Sequence, residues 1–181
     1  MKVLLHLADG FEEIEALSTL DILRRADIDT TTVSIMGRIE VKSSRGVIIQ
    51  ADKIFSDINY QEFDMIILPG GPGTTLLDQH EELKSHLKNY DAEGKWIAAL
   101  CAAPSVLGKL NLLNGKNAVC YPGYENDLLG AKVSLNEKVV VDGNIITSRG
   151  PGTSFDFAFK IVEVLKGSVL VDELKVKMLM S

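Results

Sequence analysis

Short apolar segments that alternate with amphipathic stretches limit most strongly what this chain can fold into. Residues 2–7, 64–68 and 95–100 are each long enough for one strand, and each is followed by a segment with helical spacing of apolar residues. Nearly continuous apolar strands are typical of parallel sheets that helices cover on both faces. The sequence therefore predicts an α/β protein with a doubly wound, mostly parallel sheet and helices on both of its faces.

Turn residues divide the rest of the chain into further elements of the same kinds. Helical patterns cover residues 12–25, 76–90, 104–110, 153–165 and 169–180, and further strands are predicted at 30–35, 39–41, 47–50, 118–121, 138–141 and 145–147. Residues 43–46 and Asp142-Gly143 predict two hairpins. In the helix at 153–165, one buried face is predicted to contain Phe155, Ala158, Phe159, Val162 and Leu165. Because residues 1–181 contain no linker, repeat or low-complexity segment, one domain is expected.

Composition and charge argue against several classes of protein. The chain carries 19 Lys and Arg against 25 Asp and Glu, and its net charge of −6 disfavours a nucleic-acid partner. No apolar run approaches the roughly 20 residues that span a bilayer, and the first residues lack the apolar stretch and cleavage site of a signal peptide. Two cysteines without a secretory context do not form a disulfide framework. A cytoplasmic protein with no membrane partner is therefore expected.

Cys101 is the residue whose position most strongly suggests chemistry. It follows the apolar segment 95–100 directly, and a helical pattern begins at Pro104. A strand-to-helix turn of this kind is the geometry of a nucleophile elbow, and Ala102 and Ala103 are small enough for it. The positive end of the helix dipole is expected to lower the thiol pKa and to make thiolate available near neutrality. The alternative is an inert core thiol, and the spacing alone leaves both open.

Two further segments are expected to meet Cys101, because ligands bind at the carboxyl ends of the strands in such sheets. Residues 69–73, Pro-Gly-Gly-Pro-Gly, either supply backbone N–H donors for an oxyanion or form a loop that needs positive φ. Glu12 and Glu13 fit the start of a helix, where acidic residues complement the dipole. The Glu15 carboxyl either turns inward, with a raised pKa and a proton to share with a thiolate, or forms an outward salt bridge.

The three histidines indicate neither a Cys–His catalytic dyad nor a metal site. His6 lies within the first predicted strand and is expected in the core, whereas His80 and His86 lie in a polar helical stretch. None is well placed to form a dyad with Cys101, which argues against a papain-like protease. The sequence shows no metal-ligand spacing, P-loop or dinucleotide fingerprint, so we expect no metal and no organic cofactor.

Six short motifs follow one another along the chain in a specific order. The motifs are Gly10-Phe11-Glu12-Glu13-Ile14-Glu15, Leu23-Arg24-Arg25-Ala26, Ser44-Arg45-Gly46-Val47, Leu68-Pro69-Gly70-Gly71, Ala98-Ala99-Leu100-Cys101-Ala102-Ala103-Pro104 and Thr147-Ser148-Arg149-Gly150-Pro151-Gly152-Thr153-Ser154. In this order and spacing, over residues 3–177, they resemble the ThiJ/PfpI superfamily and, within it, the Parkinson disease protein deglycase subgroup. The resemblance implies a flavodoxin-like α/β sandwich that is usually a homodimer.

The same resemblance implies roles for individual residues. Cys101 matches the elbow cysteine, and Glu15 matches a protonated glutamate that hydrogen-bonds the thiolate. Gly71 and Ala102 match positions whose backbone amides form an oxyanion site. Arg45 matches an arginine that reaches the site across the dimer interface.

One position departs from the pattern of that family. Its human-type members carry a histidine just before a proline near the cysteine, whereas this chain has Tyr121 in the sequence Cys120-Tyr121-Pro122. A phenol donates or accepts a hydrogen bond but is a poor proton shuttle at neutral pH, so Glu15 is expected to carry more of the acid–base chemistry. We still expect Tyr121 to contact the substrate. Cys120 is a possible second thiol beside the site, although packing in a strand is the preferred interpretation.

The resemblance also implies an activity. It predicts a cofactor-free deglycase or glyoxalase-type enzyme that acts on adducts of methylglyoxal and glyoxal with protein or small-molecule amines and thiols. The alternative is a redox-sensing, oxidative-stress-responsive chaperone whose Cys101 is oxidised to the sulfinate without turnover. Relatives of this kind are also called thiazole monophosphate biosynthesis proteins, but no residues here support that role. Peptidase activity, claimed for more distant relatives, would need a histidine in place of Ala102.

Overall fold

The computed structural model describes residues 1–180. Its strands are β1 (Lys2–Leu7), β2 (Asp29–Ser34), β3 (Glu40–Lys42), β4 (Ile48–Gln50), β5 (Lys53–Ile54), β6 (Met65–Leu68), β7 (Trp96–Leu100), β8 (Asn117–Ala118), β9 (Lys132–Val133), β10 (Val139–Asp142) and β11 (Ile145–Ser148). Its α-helices are α1 (Glu13–Arg25), α2 (Thr74–Gln79), α3 (Glu81–Ala92), α4 (Pro104–Lys109), α5 (Ser154–Lys166) and α6 (Ser168–Lys177). A seven-stranded sheet has the order β10-β11-β7-β6-β1-β2-β5, and β3–β4 and β8–β9 form two small sheets.

The strand order of the large sheet explains where a ligand can bind. All neighbouring strands are parallel except β10 and β11, and the register pairs Leu5 with Ile67 and Ile67 with Ala98. β2 lies on one side of β1 and β6 on the other, so the strand order reverses between β1 and β6. Ligands bind at such a reversal, beyond the carboxyl ends of the strands. The predicted α/β fold, with its flavodoxin-like, doubly wound sheet, is confirmed.

Helices cover both faces of the sheet because its strands are apolar on both sides. Val3, Leu5 and Leu7 join one core with apolar residues of α1 and α5, whereas Leu4 joins a second core with apolar residues of α3 and α4. Each of these four side chains is at most 1% exposed, and burying one contributes roughly 1.5–3 kcal/mol. Within residues 1–180, no helix combines the length and the apolar character needed to cross a membrane.

Two predicted elements differ from the structure for reasons of hydrogen bonding. The helix predicted at 76–90 is broken into α2 and α3, because His80 is extended and its Nδ1 accepts a hydrogen bond from the Leu83 N–H at 3.2 Å, which caps α3. The strand predicted at 118–121 is reduced to β8. The N–H of Tyr121 instead donates to the Cys101 carbonyl at 2.8 Å, which turns the chain back towards β7.

The predicted hairpins are confirmed, whereas one aromatic residue is misplaced. β10 and β11 pair around Asp142-Gly143, and β3 and β4 pair around residues 43–46. Phe155, however, is 40% exposed. The buried face of α5 runs through Phe157, Ala158 and Ile161, and the helical period places Phe155 away from it.

Candidate active site

The carboxyl ends of β1, β6 and β7 meet at one edge because these strands are parallel neighbours. Backbone hydrogen bonds join the loops that follow them. The Glu12 N–H donates to the Gly70 carbonyl at 3.0 Å, and the Gly73 N–H donates to the Gly10 carbonyl at 3.0 Å. Cys101 follows β7 at the same edge. The three segments that the sequence singled out are therefore brought together.

The backbone of Cys101 has an uncommon conformation that its neighbours hold in place. Its φ is +63°, a left-handed value that costs a residue with a side chain about 1–3 kcal/mol. Its N–H donates to the Ser148 carbonyl at 2.9 Å, and its carbonyl accepts from the Tyr121 N–H at 2.8 Å. Two flanking segments therefore fix the turn from strand to helix, and this turn has the geometry of an elbow.

Glu15 lies in the first turn of α1 and is fully buried. Its Oε2 accepts a hydrogen bond from the Gly70 N–H at 2.8 Å. Within residues 1–180 its Oε1 is buried without a hydrogen-bond partner, and the carboxyl lies beside the Cys101 thiol. Glu12 caps the helix by accepting from the Glu15 N–H at 2.8 Å. Of the two orientations open from the sequence, the structure has the inward one.

Burial makes Glu15 an unusual acid. It raises the pKa of the carboxyl from 4.5 to about 7, and the favourable contacts with the Cys101 thiol and the Gly70 N–H only partly offset it. Near neutral pH the carboxyl is therefore populated in both its protonated and its ionised form. A group of this kind can give and take a proton during a reaction.

The thiol of Cys101 does not follow the prediction from the helix dipole. Burial and the neighbouring Glu15 carboxylate raise its pKa, and the amides of Gly71 and Ala102 act in the opposite direction. The expected lowering is wrong because α4 has only six residues and begins at Pro104, so the desolvation of the thiol dominates. Thiol and carboxyl cannot both be charged in this space. A thiolate forms when the one proton of the pair resides on Glu15.

Two glycines make this close approach possible. A Cβ at Gly70 would lie 2.6 Å from the Cβ of Cys101 and 2.9 Å from the Oε2 of Glu15. Gly71 has a φ of +92°, and a Cβ there would lie 2.6 Å from the Gly10 carbonyl oxygen. The loop therefore needs positive φ, and it also places an amide beside the thiol. Gly71 is a predicted site residue, whereas the role of Gly70 in the same Gly-Gly pair is seen only in the structure.

Tyr121 and Gly150 border the outer side of the thiol. A Cβ at Gly150 would lie 3.9 Å from the Cys101 Sγ and 3.1 Å from a ring carbon of Tyr121. Tyr121 is 46% exposed, whereas Cys101 is only 7% exposed. Cys120, in contrast, is packed in the core, and burial raises its pKa to about 11. These properties favour the interpretation of Cys120 as a packing residue.

Arg45 does not reach Cys101 within one chain. Its side chain is exposed, and its backbone N–H donates to the Glu13 Oε1 at 2.6 Å. Glu13 also accepts from the hydroxyls of Ser43 at 2.5 Å and Ser44 at 2.9 Å. Glu13 therefore does more than complement the helix dipole, as the sequence predicts, because its carboxylate also fastens the β3–β4 loop to the start of α1.

The three histidines lie together, away from Cys101. His6 is fully buried in β1, and its Nε2 is 2.8 Å from the Tyr60 hydroxyl. His86 stacks on Tyr60 with ring centroids 3.6 Å apart, and His80 packs on Phe55 at 4.2 Å. Within residues 1–180, no group of three His, Cys, Asp or Glu side chains is arranged to hold a metal ion. The histidines therefore lie apart from Cys101, whereas the Glu15 carboxyl lies beside it.

The fold and this site define a class of protein. Its members are doubly wound α/β domains in which an elbow cysteine lies beside a buried glutamate, at the edge where the strand order of the sheet reverses. The model of the DJ-1/PfpI family matches residues 1–164. The chain belongs to this family, which confirms the resemblance seen in the sequence motifs.

Curated relatives extend this assignment. The chain is 40% identical to the protein dj-1beta of Drosophila melanogaster over 172 residues, which are 94% of this chain and 92% of that protein. It is 30% identical to a deglycase of Pyrococcus abyssi over 167 residues, which are 92% of this chain and all of the relative. It is also 40% and 38% identical to the DJ-1 homologs B and A of Arabidopsis thaliana, but spans only 38% and 44% of their lengths.

Solved structures show the same fold. A cysteine-to-alanine mutant of a DJ-1 superfamily protein from Salmonella typhimurium has a TM-score of 0.94 at 35% identity, with 99% of this chain and 98% of that one covered. An oxidized DJ-1 of Toxoplasma gondii has a TM-score of 0.94 at 37% identity, with the same coverage.

Proposed function

We propose that this protein is a cysteine-dependent deglycase or glyoxalase-type enzyme that acts on adducts of methylglyoxal and glyoxal. The contact between Cys101 and the buried Glu15 carboxyl carries the proposal, because it pairs a nucleophile with an acid whose pKa is about 7. The amides of Gly71 and Ala102 face the sulfur and can stabilise a developing alkoxide. The Pyrococcus abyssi relative that is named a deglycase supports this class of reaction.

The chemistry can be written with this pair alone. The Cys101 thiolate adds to the aldehyde carbon of methylglyoxal, the carbonyl electron pair moves to oxygen, and Glu15 supplies the proton, which gives a hemithioacetal. The Glu15 carboxylate then takes the proton from C1 and returns it to C2, while the hydroxyl proton on the C1 oxygen passes to the C2 oxygen, which gives the lactate thioester. Water hydrolyses the thioester, and lactate and the thiol are released. The sum is methylglyoxal plus water to lactate and one proton, with no external oxidant.

An adduct enters the same sequence after one earlier step. An aminocarbinol or a hemithioacetal expels its amine or thiol, and the aldehyde that is regenerated meets Cys101. The half-exposed Tyr121 borders the thiol and is proposed to hydrogen-bond the substrate rather than to shuttle its proton. In this proposal Glu15 makes every proton transfer at the two substrate carbons.

Cys101→Ser is expected to lower the rate of lactate formation from methylglyoxal by about 10³-fold or more, because a serine hydroxyl beside Glu15 is a far weaker nucleophile. Lactate is measured in amine-free buffer, so that no free amine competes for the aldehyde. The matched control is Cys120→Ser, which replaces the packed thiol and is expected to stay within about twofold of the unaltered protein. A background rate that is equal in the unaltered protein and in Cys101→Ser would remove the proposal.

A redox role for the same thiol is the second candidate function. It is favoured by the Glu15 carboxyl beside Cys101, which can hydrogen-bond a sulfinate, and by the similarity to an oxidized DJ-1 structure. The two functions separate in one comparison. A redox sensor gains two oxygen atoms on Cys101 under peroxide, by mass spectrometry of the intact protein, and forms no lactate above background.

We also propose a homodimer through the surface where α1 begins and the β3–β4 loop packs on it. Ile14, Val47 and Ile48 are 52%, 47% and 62% exposed there, and Glu13 fastens the loop to the helix. Exposed apolar side chains gathered in one place mark an interaction surface. Arg45 lies in the same loop, so a partner copy would bring it towards the neighbouring site.

Ile48→Lys is expected to raise the dimer dissociation constant by about 100-fold or more, since an unpaired charge would be desolvated at the interface. Light scattering at micromolar concentration should show a dimer for the unaltered protein and a monomer for this variant. Val169→Lys is the control, because Val169 on α6 is 72% exposed but lies outside the proposed interface. A monomer in the unaltered protein would contradict the proposal.

A further inference from the structure

A cavity lies beside Gly150, and of its lining residues the proposed function uses Tyr121 alone. This outer pocket, of about 300 Å³, is lined by Tyr121, Lys138, Arg149, Gly150 and Pro151 among others. Gly150 separates the pocket from Cys101, and even a Cβ added there would lie only 3.9 Å from the Sγ. Because Gly150 has no side chain, a group on the reacting carbon of a substrate that extends past Gly150 would reach the outer pocket.

Arg149 gives the outer pocket a cation that is not neutralised within the chain. Arg24, Arg25 and Arg38 each form a salt bridge with an aspartate. In the part of the chain that the structure describes, no carboxylate lies within salt-bridge distance of the half-buried Arg149. The positive charge of Arg149 also lowers the pKa of the Cys120 thiol, which opposes the effect of burial.

Lys138 adds a second, weaker cation. It pairs with Asp156 at 3.2 Å, and because its side chain is 67% exposed this pair neutralises it only loosely. The charged residues that line the pocket are thus both cations, although the whole chain has a net charge of −6.

The backbone that carries Arg149 is held firmly. The Ser148 hydroxyl donates to the Lys138 carbonyl at 2.8 Å, and the Arg149 N–H donates to the same carbonyl at 3.3 Å. On the other side, the Gly150 N–H donates to the Thr153 Oγ1 at 3.1 Å. A guanidinium on a fixed backbone can hold a carboxylate with two parallel hydrogen bonds and a small loss of entropy.

We infer that the outer pocket binds a carboxylate on the substrate, so that the preferred substrates are oxoaldehyde adducts of thiols or amines that themselves carry a carboxylate. This inference rests on the proposed function, because it names the substrate class of the same thiol. Tyr121 and Pro151 would contact the carbon chain of the adduct while Arg149 holds its acid group. Free methylglyoxal fills none of this pocket and would gain nothing from it.

The test uses two adducts that differ only in the carboxylate. N-acetylcysteine and N-acetylcysteamine each form a hemithioacetal with methylglyoxal, and the second thiol is the first without its acid group. Lactate release from both is measured as kcat/KM. We expect the acidic adduct to be preferred about tenfold in the unaltered protein, through a lower KM. The preference should shrink as salt is added, since it is an attraction between charges at a half-exposed site.

Arg149→Gln is expected to bring the ratio of the two kcat/KM values close to one. Arg25→Gln is the matched control, since Arg25 bridges Asp21 on the surface of α1, and it should keep the ratio of the unaltered protein. Equal kcat/KM values in the unaltered protein, or a preference that Arg149→Gln and salt leave unchanged, would overturn this inference and leave the proposed function intact. No lactate from either adduct would instead remove the proposed function.

Discussion

Glu15→Gln is expected to lower kcat/KM at every pH, by about 100-fold or more at pH 7, and to move the acidic limb of the remaining pH–rate profile upward by about two pH units or more. In the unaltered protein the pair of Cys101 and Glu15 loses its first proton at the carboxyl, whose pKa burial raises to about 7. Activity should therefore rise with pH up to about 7 and then level off. Glutamine keeps the size and still accepts from the Gly70 N–H, but it cannot take the proton, so the buried thiol must ionise without help.

The measurement is the initial rate of lactate formation from methylglyoxal between pH 5 and 10. Glu173→Gln is the control, because Glu173 is exposed on α6 and its change should leave the profile in place. Fluorescence or circular dichroism at each pH separates a loss of rate from a loss of fold. An acidic limb at the same pH in the unaltered protein and in Glu15→Gln would show that another group controls the thiol.

The sequence predicts the architecture of this site better than its electrostatics. Alternating apolar strands and helices determine a doubly wound sheet, and in such a sheet the segments after β1, β6 and β7 must share one edge. The placing of Cys101 beside residues 69–73 therefore follows from topology. The inward turn of Glu15 does not, because one helical position separates a buried carboxyl from a surface salt bridge, and tertiary packing decides between them.

The pKa of Cys101 was mispredicted for a related reason. A helix dipole is visible in the sequence, whereas the desolvation of one sulfur atom depends on how closely Gly70, Glu15 and Ala102 approach it, and this is a tertiary property. The outer pocket is a similar case. Residues 121, 138 and 149 are far apart in the sequence, and the pairing of β10 with β11 places Lys138 beside Arg149.

The histidine cluster is the largest feature that sequence spacing could not show, and it makes the stability of the protein depend on pH. Burial lowers the pKa of His6 from 6.5 to about 3, and the neighbouring His80 and His86 add to this effect. Below pH 6.5 the His6 imidazole is protonated in the unfolded chain but stays neutral in the folded chain. The free energy of unfolding therefore falls as the pH falls, by about 1.4 kcal/mol for each pH unit and by roughly 2 kcal/mol between pH 6.5 and pH 5.

His6→Gln is expected to remove this dependence. At pH 7.5 the variant should be less stable by about 1–3 kcal/mol, because glutamine does not reproduce the stacking of the ring on Tyr60. At pH 5 this difference should shrink by roughly 2 kcal/mol, since only the unaltered protein loses stability through His6. Urea unfolding at the two pH values measures the change.

Comparing the two proteins at each pH isolates His6 from the opposing titration of Glu15. The raised pKa of Glu15 means that the folded chain holds a proton there more tightly, so this residue stabilises the protein as the pH falls from 7 to 4.5, equally in both proteins. Glu173→Gln is the control, because Glu173 is exposed on α6 and its change should keep the pH dependence of the unaltered protein. Parallel stability curves for the unaltered protein and His6→Gln would show that the buried ring accepts a proton without cost, which its burial beside Tyr60 argues against.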